Sequence, residues 1–304
     1  MISPEEAIER ISARFGVHSG RRALHARGVV CAGTFIAAPE AGALTTAPHM
    51  QGERINVIAR FSNGGGDPDE PDGAPDVRGL AVRFELPGGG KTDIVAQNAP
   101  RFPVSDPDAF IGLIGATERG PGMLAKLPLF LARHPSVIPA LRANASALRA
   151  PRSYADPTFY AVHAFRWRAP DGTVRWVRYT FVPVSGGEAE APDRSVSDYL
   201  ARELARRLAG GGTIGFDLEL TIAGPGDDPH DPSSVWKSTE RVIAGRMEVE
   251  SVLDGRESTI FDPMRLADGI EPSEDPVLHF RPKAYGVSYA RRTGDPTEPP
   301  PWAR

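Results

Sequence analysis

Hydrophobic and polar positions alternate most cleanly over residues 54–62, where Ile55, Val57, Ala59 and Phe61 fall at every second place. That is the period of a strand with one buried face. Further β-rich runs predict strands at 29–37, 79–86, 92–96, 158–168, 174–183, 213–222 and 247–252. Pro170-Asp171-Gly172 sits between two of them and predicts a hairpin. The period lengthens at the start of the chain, where Ile8, Ile11 and Phe15 share a helical face, and Ser3 followed by Glu6 fits a capping box. Helical patterning returns over 106–150, with Phe110, Leu113 and Ile114 on one face, then near 195–208 and from 273 to 292.

Eight strands in two groups of four, with helices inserted between and after them, predict an α+β fold. The expected form is a closed eight-stranded antiparallel β-barrel with inserted and flanking helices, not a doubly wound sheet. Closure removes exposed edges, and a barrel of this size has room for a ligand inside. The chain reads as one domain over 1–304: an N-terminal helix in 1–20, the barrel with its helical insertions in 21–222, a final strand and helix in 245–292, and a tail in 293–304.

Composition narrows the chemistry. With 40% hydrophobic and 24% charged residues the chain is ordinary globular protein. A net charge of −4 argues against nucleic acid or an anionic membrane as the main partner. Cys31 is the one cysteine, which excludes a disulfide framework and a Cys-rich metal site. No apolar run is long enough to span a bilayer and the N-terminus does not resemble a secretory signal, so a cytoplasmic location is expected. The Gly-, Asp- and Pro-rich stretch 63–76 lacks the EF-hand ligand order and reads as a solvated loop. Gly64-Gly65-Gly66 and Gly88-Gly89-Gly90 lack the following helix that phosphate cradling needs.

Taken singly, the chemical candidates are modest. His25 lies in Arg22-Ala23-Leu24-His25-Ala26-Arg27-Gly28, and a lone histidine beside apolar residues reads first as structural. Arg281 and Tyr285 are four apart and share a helical face. Together with Arg60-Phe61-Ser62, the run from Asp76 to Phe84, the run from Asp93 to Phe110, Phe261-Asp262-Pro263, and Arg281-Pro282-Lys283-Ala284-Tyr285, they form an ordered series over nearly the whole chain. That series resembles the haem catalase superfamily in its short, catalase-related peroxidase form.

The resemblance implies a haem, expected as haem b, inside the barrel, with Tyr285 as the iron's axial ligand through its phenolate. A free phenol titrates near 10, so ionising one at pH 7 requires on the order of 4 kcal/mol, which iron and the Arg281 cation can supply. His163 and Asp275 match a pair that orients this arginine, and Tyr289 is the rival ligand. On the other face His25 matches the distal acid–base group, with Ser62 holding its ring and Gln97 standing where hydrogen-peroxide catalases carry asparagine. Arg22 and Arg60 match arginines that pair with propionates. Phe102, Phe110 and Phe261 match residues against the macrocycle.

Two departures shape the expected activity. Gln97 carries its amide one methylene further than asparagine, with Asn98 beside it, so dismutation of hydrogen peroxide is expected to be weak. Gly64 replaces a channel valine two residues after the serine, next to a retained Asp76, so bulkier hydroperoxides are expected to enter. The implied function is a haem peroxidase that reduces hydrogen peroxide or organic hydroperoxides with an organic electron donor. The alternatives are hydroperoxide rearrangement of the allene oxide synthase kind and a haem-binding barrel without turnover. The short chain leads to the expectation of a homodimer and of no nucleotide site.

Overall fold

The structure, a computed structural model, describes residues 1–118, 120, 122–184, 192–254 and 259–294. Of the expected tail, only Thr293 and Gly294 fall within them. The elements run α1 (Pro4–Phe15), β1 (Gly28–Ala37), α2 (Ala41–Leu44), β2 (Arg54–Asn63), β3 (Arg78–Glu85), β4 (Lys91–Gln97), α3 (Pro107–Ala116), α4 (Met123–Arg133) and α5 (Val137–Asn144). They continue with β5 (Phe159–Arg168), β6 (Val174–Pro183), α6 (Tyr199–Ala209), β7 (Ile214–Ile222), β8 (Arg241–Val252), β9 (Ile270–Pro272) and α7 (Pro276–Thr293). Two 3-10 turns, Pro48–Met50 and Ala145–Leu148, complete the set.

The strands pair in the order β4-β3-β2-β1-β8-β7-β6-β5, and a β4–β5 pairing closes the ring. Every pairing is antiparallel, and closure occurs where Gln97 faces Tyr160. The three-residue β9 adds outside the ring, on β5. All eight predicted strands are present. The last starts at Arg241, not 247, because Gly245 lets it run on: a Cβ there would lie 2.5 Å from the Ile36 carbonyl oxygen and from Phe35 Cζ. The predicted hairpin turn forms with Ala169 N–H donating to the Thr173 carbonyl at 2.8 Å, and Gly172 takes φ 85°.

The barrel interior is full. Phe35, Phe61, Phe84, Phe159, Phe181, Phe216 and Trp167 point inward and are buried in one apolar core. Strands β2 and β3 follow their period: Val57, Ala59, Phe61, Leu80, Val82 and Phe84 face in, and the alternate residues face out. The expectation of a ligand inside the barrel is therefore corrected; buried aromatic side chains occupy that space.

A second apolar core lies outside the ring, where α1, α3 and α7 pack together through Ile8, Ile11, Ile111, Ile114 and Ala284. Burial of each isoleucine contributes about 1.5–3 kcal/mol. Ser3 caps α1, its hydroxyl accepting from Glu6 N–H at 3.1 Å, while the Glu6 carboxylate takes Arg10 rather than completing the box. Helix α6 begins at Tyr199, later than the predicted 195, because buried Asp72 accepts from Leu200 N–H at 2.8 Å and fixes the start there. Asp72 also accepts from the Asn63 amide at 2.8 Å. The stretch 63–76 is thus anchored through a buried carboxylate rather than merely solvated.

Candidate active site

A cavity of about 440 Å³ lies between the outer face of β2–β5 and the cover made by α1, α3 and α7. Strand register builds its wall. Gly28 pairs with Ser62, Ser62 with Gly79, Gly79 with Gln97 and Gln97 with Tyr160, one row crossing five strands on the outward face. The neighbouring row is Val30, Arg60, Ala81 and Val95. All of these except Gly28 and Val30 line the cavity.

His25 enters just before β1 and is held hard. Its φ of 55° puts it in the left-handed region, a conformation costing of order 1–3 kcal/mol in a non-glycine residue. Three bonds hold it there: His25 N–H to the Gly64 carbonyl at 3.0 Å, Arg60 Nη2 to the His25 carbonyl at 3.0 Å, and Ala26 N–H to the Gly65 carbonyl at 3.0 Å. The ring Nδ1 lies 3.0 Å from Ser62 Oγ. Gly79 makes room for both groups, since a Cβ there would stand 2.8 Å from Ser62 Oγ and 2.9 Å from His25 Cε1 and Nδ1. Burial, then the charges of Arg60, Arg281 and Arg22, push the imidazole pKa down to about 3. His25 is thus neutral at pH 7.

Across the cavity, Arg281 donates from Nε and Nη2 to the Tyr285 oxygen at 2.9 and 2.6 Å. Two donors from one cation stabilise negative charge on that oxygen. Arg281 Nη1 reaches His163 Nε2 at 2.8 Å, and His163 Nδ1 lies 2.5 Å from Asp275 Oδ2. A guanidinium can only donate, so Nε2 accepts and Nδ1–H donates to the carboxylate. Burial lowers the His163 pKa, opposed by its bond to Asp275, which agrees with that neutral tautomer. Asp275 also caps α7, accepting from Val277 N–H at 2.8 Å and Leu278 N–H at 3.2 Å. The helix accordingly starts at Pro276, three residues beyond the predicted start.

The remaining expected residues converge on the same space. Arg22, Arg60, Gln97, Phe102, Phe110 and Phe261 all line it. Phe102 and Phe110 meet at 5.0 Å between ring centroids. Phe261 lies under the guanidinium groups of Arg22 and Arg83, at 5.8 and 5.4 Å. Gln97 donates only a long 3.4 Å bond to the Ala99 carbonyl. Asn98 is committed elsewhere, accepting from Arg78 N–H at 2.7 Å and donating to the Ala147 carbonyl at 2.8 Å. Tyr289, the rival ligand, stacks its ring against the Arg292 guanidinium at 5.1 Å.

A tyrosine and a histidine line one cavity, each with its own hydrogen-bonded support, and the known proteins agree with that arrangement. A family model described as catalase matches residues 9–298. The chain belongs to the catalase family. It is 43% identical to a catalase-related peroxidase of Mycolicibacterium paratuberculosis over 96% of both chains. It is 32% identical to a catalase-related peroxidase of Synechococcus elongatus, covering 96% of this chain and 89% of that one. Solved structures of a bacterial and a fungal catalase share the fold, with TM-scores of 0.77 and 0.76 at 22% and 23% identity. Each comparison covers 90% of this chain but only 58% and 60% of the larger catalases.

Catalases generally bind haem, and the residues here suit one. A phenol oxygen backed by a cation, a neutral imidazole, two arginines and flat apolar rings line one cavity of small-molecule size. Sequence reasoning missed Gly79, Tyr160 and the clamp that seats Phe261. In that clamp Arg83 donates to both Asp93 oxygens at 2.9 and 3.1 Å, and Asp93 also takes the Asp262 N–H at 2.8 Å and Arg265. Arg83 and Asp93 are direct cross-strand partners, so opposite charges flanking a short β-turn were the available signal.

Proposed function

We propose that the protein is a haem b peroxidase of the catalase family that reduces hydroperoxides with electrons from an organic donor. The opposed pairs carry the reading: Tyr285 held by Arg281 on one side, and His25 held by Ser62 on the other, in one cavity. Tyr285 would ligate the iron, Arg22 and Arg60 would hold the propionates, and Phe102, Phe110 and Phe261 would bound the macrocycle. A ferric haem would supply the two-electron redox chemistry.

The chain's own groups supply the proton movement. With Nδ1 committed to Ser62, His25 Nε2 is the nitrogen left to exchange a proton. Being neutral, it takes the proton from the hydroperoxide and returns it to the departing oxygen as the O–O bond breaks. Gln97 offers its amide from β4, two strands along the same cavity wall. Overall the hydroperoxide takes two electrons and two protons from the donor and yields an alcohol and water; with hydrogen peroxide, two waters form. Arg281, Tyr285, His163 and Asp275 hold the proximal charge in place.

The test is donor oxidation by hemin-loaded protein with hydrogen peroxide, tert-butyl hydroperoxide and a fatty-acid hydroperoxide. Peroxide-dependent oxidation that His25→Ala slows at least about a hundredfold with haem retained supports the reading. Product rearrangement without donor consumption, or haem binding without turnover, would contradict it. The His25–Ser62 pair argues against a mere carrier, which needs no acid–base group.

A further inference from the structure

The entrance to the cavity is not as open as Gly64 makes it look. A Cβ on Gly64 would stand 2.4 Å from Val77 Cγ2 and 2.9 Å from Asp76 Oδ1. The space that a side chain at position 64 would take is already filled by a methyl group from position 77. Both residues line the cavity, as do Asp76 and Leu148. Leu148 is 42% exposed, so the cavity meets solvent on this side.

Val77 cannot easily leave that place. Its carbonyl accepts from Gly64 N–H at 2.9 Å, and its N–H donates to Asp76 Oδ1 at 2.8 Å. Asp76 Oδ2 takes Gly65 N–H at 2.8 Å, and Asp76 N–H donates to the Leu148 carbonyl at 3.1 Å. Behind it, wholly buried Arg78 donates to the Asp76 carbonyl at 2.8 Å and the Val77 carbonyl at 3.2 Å. A β-branched side chain on a backbone pinned at this many points has few rotamers to choose from. The Gly64 carbonyl in turn carries the His25 N–H, so the constriction abuts the acid–base residue directly.

We infer that Val77 is the specificity-determining residue of the entrance, setting the bulk of the hydroperoxide that reaches His25 and favouring small ones over arylalkyl ones. This replaces the expectation that Gly64 widens the channel: the valine is supplied instead by the residue just before β3. The inference rests on the peroxidase reading for its kinetic part and on packing alone for the rest.

The experiment is a double-mutant cycle over Gly64→Ala and Val77→Ala, read by apo-protein Tm and by the kcat/KM ratio of cumene hydroperoxide to hydrogen peroxide in hemin-loaded protein. Val77→Ala should raise that ratio about tenfold or more, the discrimination expected for lost methyl groups in an apolar passage. Gly64→Ala alone should lower the Tm. The double variant should lose less Tm than the two single losses sum to, and return the ratio toward the wild-type value, because the new Cβ occupies the vacated methyl position and only its 2.9 Å approach to Asp76 Oδ1 remains. An active, folded Val77→Ala with unchanged preference, or strictly additive Tm changes, would overturn the inference. If wild type turned over no hydroperoxide, the peroxidase reading itself would fall, while the Tm cycle would still decide the packing.

Discussion

Replacing Gly79 with alanine perturbs the His25–Ser62 pair, the proposed acid–base group, by adding one carbon atom. Ordinary carbon contacts begin near 3.5 Å, so distances of 2.8 to 2.9 Å to Ser62 Oγ and the His25 ring fall short by roughly 0.6 Å on three contacts. Gly79 cannot retreat, being laddered between Ser62 and Gln97. The His25 backbone cannot retreat either, with φ 55° and both its N–H and its carbonyl bonded. The ring must therefore turn, and its 3.0 Å contact with Ser62 is the interaction that gives. Overpacking of this size costs about 1–3 kcal/mol of stability. At about 2–4 °C per kcal/mol the Tm falls by several degrees. Displaced acid–base groups lose on the order of a hundredfold in rate, about 2.7 kcal/mol, so the kinetic effect is at least comparable with the stability effect. Stopped-flow mixing of the hemin-loaded variant with hydroperoxide, alongside a melt of the apo protein, reads both. A variant that retains haem and reacts at the wild-type rate refutes the reasoning.

Other perturbations test separate parts of the site. Asp275→Ala removes the α7 cap and the partner of His163 together; about 2–4 kcal/mol should be lost in urea unfolding, against about 1 for a cap alone. Tyr285→Phe should lose haem affinity or change the visible spectrum while the apo fold persists, checked by hemin titration. Buried His49, like His25, has its pKa pushed down to about 3 by desolvation. The unfolded chain binds these protons near 6.5 and the folded chain does not, so stability is full above pH 6.5 and falls as the pH drops toward 3. His49→Phe should flatten that fall by up to about 1.4 kcal/mol per pH unit, measured as denaturant midpoints between pH 6 and 4.

Strand β2 was legible because its alternation runs over nine residues and leaves little freedom of interpretation, and the other strands because β-rich runs are bounded by Gly and Pro. What alternation does not reveal is whether the second face is also covered. From Val57 to Asn63 every residue of β2 is buried, although Arg60 and Ser62 read as solvent-facing by type. Helices from distant parts of the chain cover that face, and this moved the cavity from inside the barrel to its flank. The start of α7 went astray for a related reason: Ser273 and Asp275 are both acceptable caps locally, and the choice is made by His163 far away in sequence. Residues of the proposed haem site could be named from the ordered series of segments, and the structure brings them around one cavity. Gly79 escaped notice because its contribution is the atom it lacks. Val77 escaped because its neighbour across the loop, Gly64, becomes its neighbour only once the chain folds.

The most direct measurement is a crystal structure of the protein grown with hemin. The account predicts one macrocycle on the outer face of β2–β5, with the Tyr285 oxygen on the iron and the His25 ring over the opposite face. A haem bound elsewhere, an axial ligand other than Tyr285, or His25 and Tyr285 on the same side of the ring would contradict it.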